Sequence, residues 1–143
     1  MTINFCSSSQ FETRLYLGDK LLEQVKEATL LGVILTDDLK WHRNTQNLVQ
    51  RAYKRMSILR NLVAFNVPKY DLVIIYTLYI RSIIEQSCVV WGPSLTESDA
   101  AALERVQKCS LRIIYDTEYI SYNHALAKSG LSDLSSRRVK LSR

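Results

Sequence analysis

Seven basic side chains lie between positions 40 and 69: Lys40, Arg43, Arg51, Lys54, Arg55, Arg60 and Lys69. No acidic residue interrupts them. Ammonium and guanidinium groups at this density suit a polyanion, and a phosphate backbone is the commonest one. Such contact releases condensed counterions and reads no bases, so it makes binding salt-dependent rather than sequence-specific. Arg43, Arg51, Lys54 and Arg55 are the candidate phosphate ligands, and Asn47 and Gln50 can add neutral hydrogen bonds to phosphate or sugar oxygens.

Other residue types with chemical potential are poorly arranged. Asp37-Asp38 follows an apolar run, but a two-metal site needs a third carboxylate from a neighbouring strand. The pair reads instead as a turn, with Asp38 placed to cap the following helix. His42 and His124 are the only histidines, and no Ser-His-Asp or Cys-His arrangement accompanies them. The same scarcity disfavours a zinc site, which needs four clustered ligands, and a two-His, one-carboxylate iron site. Cys6, Cys88 and Cys109 are odd in number and far apart, so they read as small buried hydrophobes rather than a disulfide framework. Gly18, Gly32, Gly92 and Gly130 are too scattered for a phosphate loop. The expectation is therefore a binding chain with no catalytic residue, no metal and no cofactor.

The elements that must carry the cations follow from periodicity. At 100° per residue Trp41, Leu48, Ala52, Met56, Leu59 and Val63 share one side of a long helix, and Arg43, Asn47, Gln50, Arg51 and Lys54 share the other. A solvated helix normally mixes charges four apart for mutual support, and this one does not. Upstream, residues 2–5, 14–17, 21–26 and 29–35 read as short strands, with Gly18-Asp19 as a turn and 29–35 apolar enough to be buried. Downstream, Pro68 opens a second helix running through Ile84 and up to Trp91, ended by Gly92-Pro93. Its apolar residues cover most of its circumference, which predicts a central position. Tyr76 and Tyr79 are expected in that core, and Trp41 and Trp91 as anchors at helix ends.

Thr96 and Asp99 form a capping-box pattern for a third helix. Arg105, Lys108 and Arg112 sit toward its negative end, where they complement the dipole. Residues 122–129 make a short fourth helix ended by Gly130, and 131–143 a basic fifth segment. The fold class expected is α+β, mainly α: a small N-terminal antiparallel sheet over 1–38, then a helical bundle of four to five helices over 39–143.

Bulk properties agree with a folded chain. It has 143 residues, 47% hydrophobic and 23% charged, enough for one real core. The net charge of +5 is distributed in blocks: −3 over 1–39, +7 over 40–69, −4 over 70–104 and +5 over 105–143. The N-terminus lacks the basic-then-apolar pattern of a signal peptide. The richest uncharged stretch spans nine residues, 72–80, where a membrane span needs roughly 20. An intracellular chain, nuclear or cytoplasmic and neither secreted nor membrane-bound, is expected.

Five local patterns resemble one family when taken in order: LLGVILTDDLKW at 30–41 ahead of the basic helix, IYTLYIRSIIEQSCVVWGP at 75–93, LERVQKCSLRIIY at 103–115, SYNHAL at 121–126 and LSSRRVKL at 134–141. They look like the region after the catalytic palm in reverse transcriptases of non-LTR retrotransposons, of the jockey and CR1 type. The resemblance covers essentially the whole chain. It implies that Leu31-Gly32-Val33 matches the strand at the end of the palm, whose hairpin helps hold the primer end. The helices from Trp41 onward match the thumb, which grips an RNA or DNA template–primer duplex, and Arg137-Arg138 match a basic element after it. It further implies that the catalytic aspartates and the palm lie upstream. The Leu35 that stands two before Asp37, where that family's catalytic hairpin has an aromatic, fits a non-catalytic turn.

Overall fold

A computed structural model describes residues 15–141; the expected strand over 2–5, Arg14, Cys6 and the end of the tail lie outside them. The chain is α+β and mainly α. Two small antiparallel hairpins come first. Strand β1 (Tyr16–Leu17) pairs with β2 (Lys20–Leu21) across the Gly18-Asp19 turn. Strand β3 (Glu27–Leu30) pairs with β4 (Val33–Thr36) in the register Glu27 to Thr36 and Leu30 to Val33.

The second hairpin corrects the expected single strand over 29–35. Leu31 and Gly32 both adopt positive φ, 50° and 80°, the signature of a two-residue turn that suits strand twist. The run therefore folds back on itself. Leu31 stands at the tip, 88% exposed, and Leu30 is exposed too, so the segment is not buried as its composition suggests. Only Val33 enters the core from it. The expected return strand over 21–26 is likewise reduced to Lys20–Leu21.

Helix α1 (His42–Ala64) follows. Its N-cap is Trp41, with no side-chain cap. Asp38 does not cap it. Its carboxylate turns back instead, accepting from Thr36 Oγ1 at 2.7 Å and the Lys40 amide at 3.1 Å, which closes a tight turn ahead of the helix. The periodicity of α1 is as read: Leu48, Ala52, Met56 and Leu59 are all fully buried. Asn44 joins them, and its Oδ1 accepts the Ile34 amide at 3.1 Å, docking β4 onto the helix.

The second helical segment is one rod with a widened middle: α2 (Lys69–Ile75), a π segment (Tyr76–Arg81) and α3 (Ser82–Ile84). It stops before Trp91, because Ser87 takes a left-handed conformation (φ 54°). A short α4 (Cys88–Trp91) then leaves at 48° to the rod. Leu72, Tyr76, Ile80, Ile83 and Ile84 pack inward, but Tyr70, Ile74, Leu78 and Tyr79 face outward. The rod is thus flanking, not central, and Tyr79 is exposed where core packing was expected. Among the described residues no single helix is long and apolar enough to cross a membrane.

Helix α5 (Glu97–Tyr115) carries the expected capping box: Thr96 Oγ1 accepts the Asp99 amide at 3.1 Å. It packs most extensively against α1. Helix α6 (Tyr122–Ser129) ends at left-handed Gly130 as read, and α7 (Leu134–Leu141) folds back onto α4 and α5. Trp91 is fully buried, with its indole N–H donating to the Gln86 carbonyl; Trp41 is half-buried. Cys88 is buried and Cys109 half-buried, both as free thiols.

Candidate nucleic-acid interface

The basic residues of α1 do not form one stripe. At 100° per residue Arg43, Asn47, Gln50 and Lys54 point away from the core, whereas Arg51 and Arg55 lie on the flank facing the 76–86 segment. Arg43 Nε reaches Glu27 Oε2 at 3.4 Å, a long contact between exposed groups. Arg51 Nη1 donates to Gln86 Oε1 at 3.2 Å. Arg55 Nη1 donates to the Tyr79 carbonyl within the π segment at 3.0 Å. The side chains of Lys54 and Arg60 make no hydrogen bond or ion pair among the described residues.

The choice of acceptor matters electrostatically. Gln86 and a backbone carbonyl are neutral, so they fix the positions of Arg51 and Arg55 without cancelling their charge. An ion pair with a carboxylate would have done both. With Lys54 between them in sequence and exposed, the middle of α1 presents three uncompensated cations.

Gln86 ties this patch to the hairpin tip. Its Nε2 points at the Leu31 carbonyl at 3.4 Å, and a Cβ at Gly32 would stand 2.5 Å from that same nitrogen. The positive φ here favours glycine, and a side chain would displace the Gln86 amide. Leu31, Gly32 and Arg51 thus meet through one amide that sequence reading passed over. No spacing links position 86 to positions 31 and 51.

Arg137 and Arg138 are placed elsewhere. Arg137 Nε donates to Glu85 Oε1 at 2.5 Å, and the same oxygen accepts from Arg81 Nε at 2.9 Å. Arg81 is only 3% exposed, and its Nη2 is buried without a partner. Two guanidiniums on one carboxylate join α7 to the end of the rod, so Arg137 serves packing. The Arg138 stem passes beside Gly92, where a Cβ would stand 3.6 Å from its Cδ. Arg137 does not join the α1 patch through any contact among the described residues.

Comparison with family models, with curated proteins and with solved structures finds no match.

Two further arrangements bear on chemistry. His42 Nδ1 lies 2.7 Å from Asp99 Oδ1, a partner 57 residues away that helical spacing could not reveal. Asp99 also accepts from Thr96 Oγ1, and His42 Nε2 is 2.8 Å from the Gln46 amide. The dyad therefore clamps the start of α1 to the start of α5, with its second ring nitrogen already engaged. A buried polar chain links Tyr76 Oη to Gln107 Oε1 (2.8 Å) and Gln107 Nε2 to Tyr122 Oη (2.9 Å), ending on Glu104. Burial holds both phenols well above their usual range, so they stay protonated donors. Among the described residues no group of three or more His, Cys, Asp or Glu side chains could hold a metal ion.

Proposed function

We propose that this chain is a nucleic-acid backbone clamp without catalytic residues of its own, corresponding to the terminal palm strands and thumb of a non-LTR retroelement reverse transcriptase. The observation that carries the reading is the neutral pinning of Arg51 and Arg55 on one flank of α1, next to exposed Lys54. Preorganised cations lose little side-chain entropy on meeting phosphates. The exposed Leu31 tip, joined to Arg51 through Gln86, lies where the resemblance puts a primer-end contact. A template–primer duplex is the partner, an upstream palm is the natural mate of the exposed hairpins, and the chain acts inside the cell.

Fluorescence anisotropy with a labelled RNA–DNA hybrid tests this. Wild type is expected to bind, and R51E/K54E to bind at least tenfold more weakly, with equal affinity for unrelated sequences in both cases. Binding that ignores the charge reversal would refute the clamp.

One observation favours a second reading, a helical protein-interaction module. Tyr70, Ile74 and Leu78, spaced four apart along the rod, are all exposed (Leu78 by 62%), as is Phe65 after the end of α1. An exposed apolar row on a helix commonly marks a protein contact. A discrete oligomer by size-exclusion with light scattering, dissolved by L78S and indifferent to hybrid, would select this reading over the first.

A further inference from the structure

The exposed side of α5 carries a second row of cations. Arg105, Lys108 and Arg112 fall within about 60° of one another around the helix. All three are exposed, opposite the buried Leu103, Val106, Leu111 and Ile114. The helix dipole accounts for Arg112, which lies in the last turn. It does not account for Arg105 and Lys108, because its influence fades within that turn.

Two of these cations are held by aromatic rings. Lys108 Nζ sits 5.0 Å from the centre of the Tyr122 ring, and the Arg112 guanidinium 5.3 Å from that of Tyr119. A ring quadrupole positions a cation but leaves its full charge and its N–H donors available. The acids nearby are turned to other work. Glu104 receives the Tyr122 hydroxyl and the Leu134 amide, and Glu118 holds Lys69 and Lys128. Lys108 and Arg112 therefore have the property found on α1, fixed and uncompensated positive charge, and exposed Arg105 extends the row.

Its shape favours a strand of phosphates over a flat anionic surface. Seven residues of helix separate Arg105 from Arg112, about 10 Å at 1.5 Å per residue. One nucleic-acid strand carries about three charges over that length. Since α1 and α5 pack against each other, their outer sides point in different directions.

We propose that the Arg105–Lys108–Arg112 row is a second backbone-binding face, so that one chain holds two nucleic-acid segments, one on α1 and one on α5. This shares with the clamp reading only the class of ligand. Sedimentation of the chain with excess short RNA–DNA hybrid tests it, with R105Q/K108Q run beside R105E/K108E as a milder variant. Wild type is expected to saturate at two duplexes per chain and both α5 variants at one. Wild type saturating at one, with the α5 variants unchanged, overturns the second face. If the α5 variants bind none while R51E/K54E still binds one, the α5 face stands and the α1 clamp falls. Binding to anionic lipid vesicles with no affinity for hybrid overturns the α5 proposal as well.

Discussion

Gly32 is the residue on which the hairpin tip depends. Its φ of +80° strains any L side chain, and a Cβ would meet the Gln86 amide at 2.5 Å. Gly32→Ala should lower stability by about 1–3 kcal/mol, read by chemical denaturation, and should release Arg51 from its acceptor. A second residue-scale prediction concerns Asp38. The Thr36 hydroxyl, the Lys40 ammonium and the Lys40 amide hold its carboxyl down at about 2, from an ordinary value near 3.8. Because the folded value is depressed, the bonds it makes contribute fully above pH 4 and are lost as pH falls through 2. An NMR titration of the Asp38 carboxyl should show its midpoint near 2, moving toward 4 in Thr36→Val; an unmoved midpoint would discount the Thr36 bond.

At the scale of elements, the decisive junction is Glu85. It sits between Arg81 and Arg137 and is the described carboxylate that joins α7 to the end of the rod. Glu85→Gln leaves the buried Arg81 guanidinium without a counter-charge and should cost about 3–5 kcal/mol. Thr96→Ala, which removes the cap of α5, should cost about 1 kcal/mol. Both follow from denaturation midpoints, and a Glu85→Gln loss no larger than that of Thr96→Ala would mean solvent already screens the pair. Elements with strong local signals were legible in the sequence. The 3.6-residue repeat of α1, the Thr96/Asp99 box and the Gly130 stop all act within a few residues of where they are written. Elements decided by distant packing were not. The apolar run 29–35 looks like a strand until Leu31-Gly32 turns it, and the apolar 69–84 rod looks central until its outer side is found without a neighbour. The candidate patch was legible as a list of cations. Its organisation was not, since Gln86, the Tyr79 carbonyl and Glu85 each lie more than 20 residues from the arginines they receive from α1 or α7.

At the scale of the whole molecule, charge is arranged rather than merely abundant. Arg51 and Arg55 of α1 meet the rest of the fold through neutral acceptors, whereas Arg81 and Arg137 meet the Glu85 carboxylate and are drawn into packing. This division separates cations kept for a ligand from cations used for structure. The most direct test is the salt dependence of hybrid binding in wild type and R51E/K54E. Contacts from Arg43, Arg51, Lys54 and Arg55 predict a slope of log affinity against log salt of roughly −3 to −4, reduced in magnitude by about 2 in the variant. A wild-type slope near zero, or one that the variant leaves unchanged, would contradict a phosphate-binding face on α1.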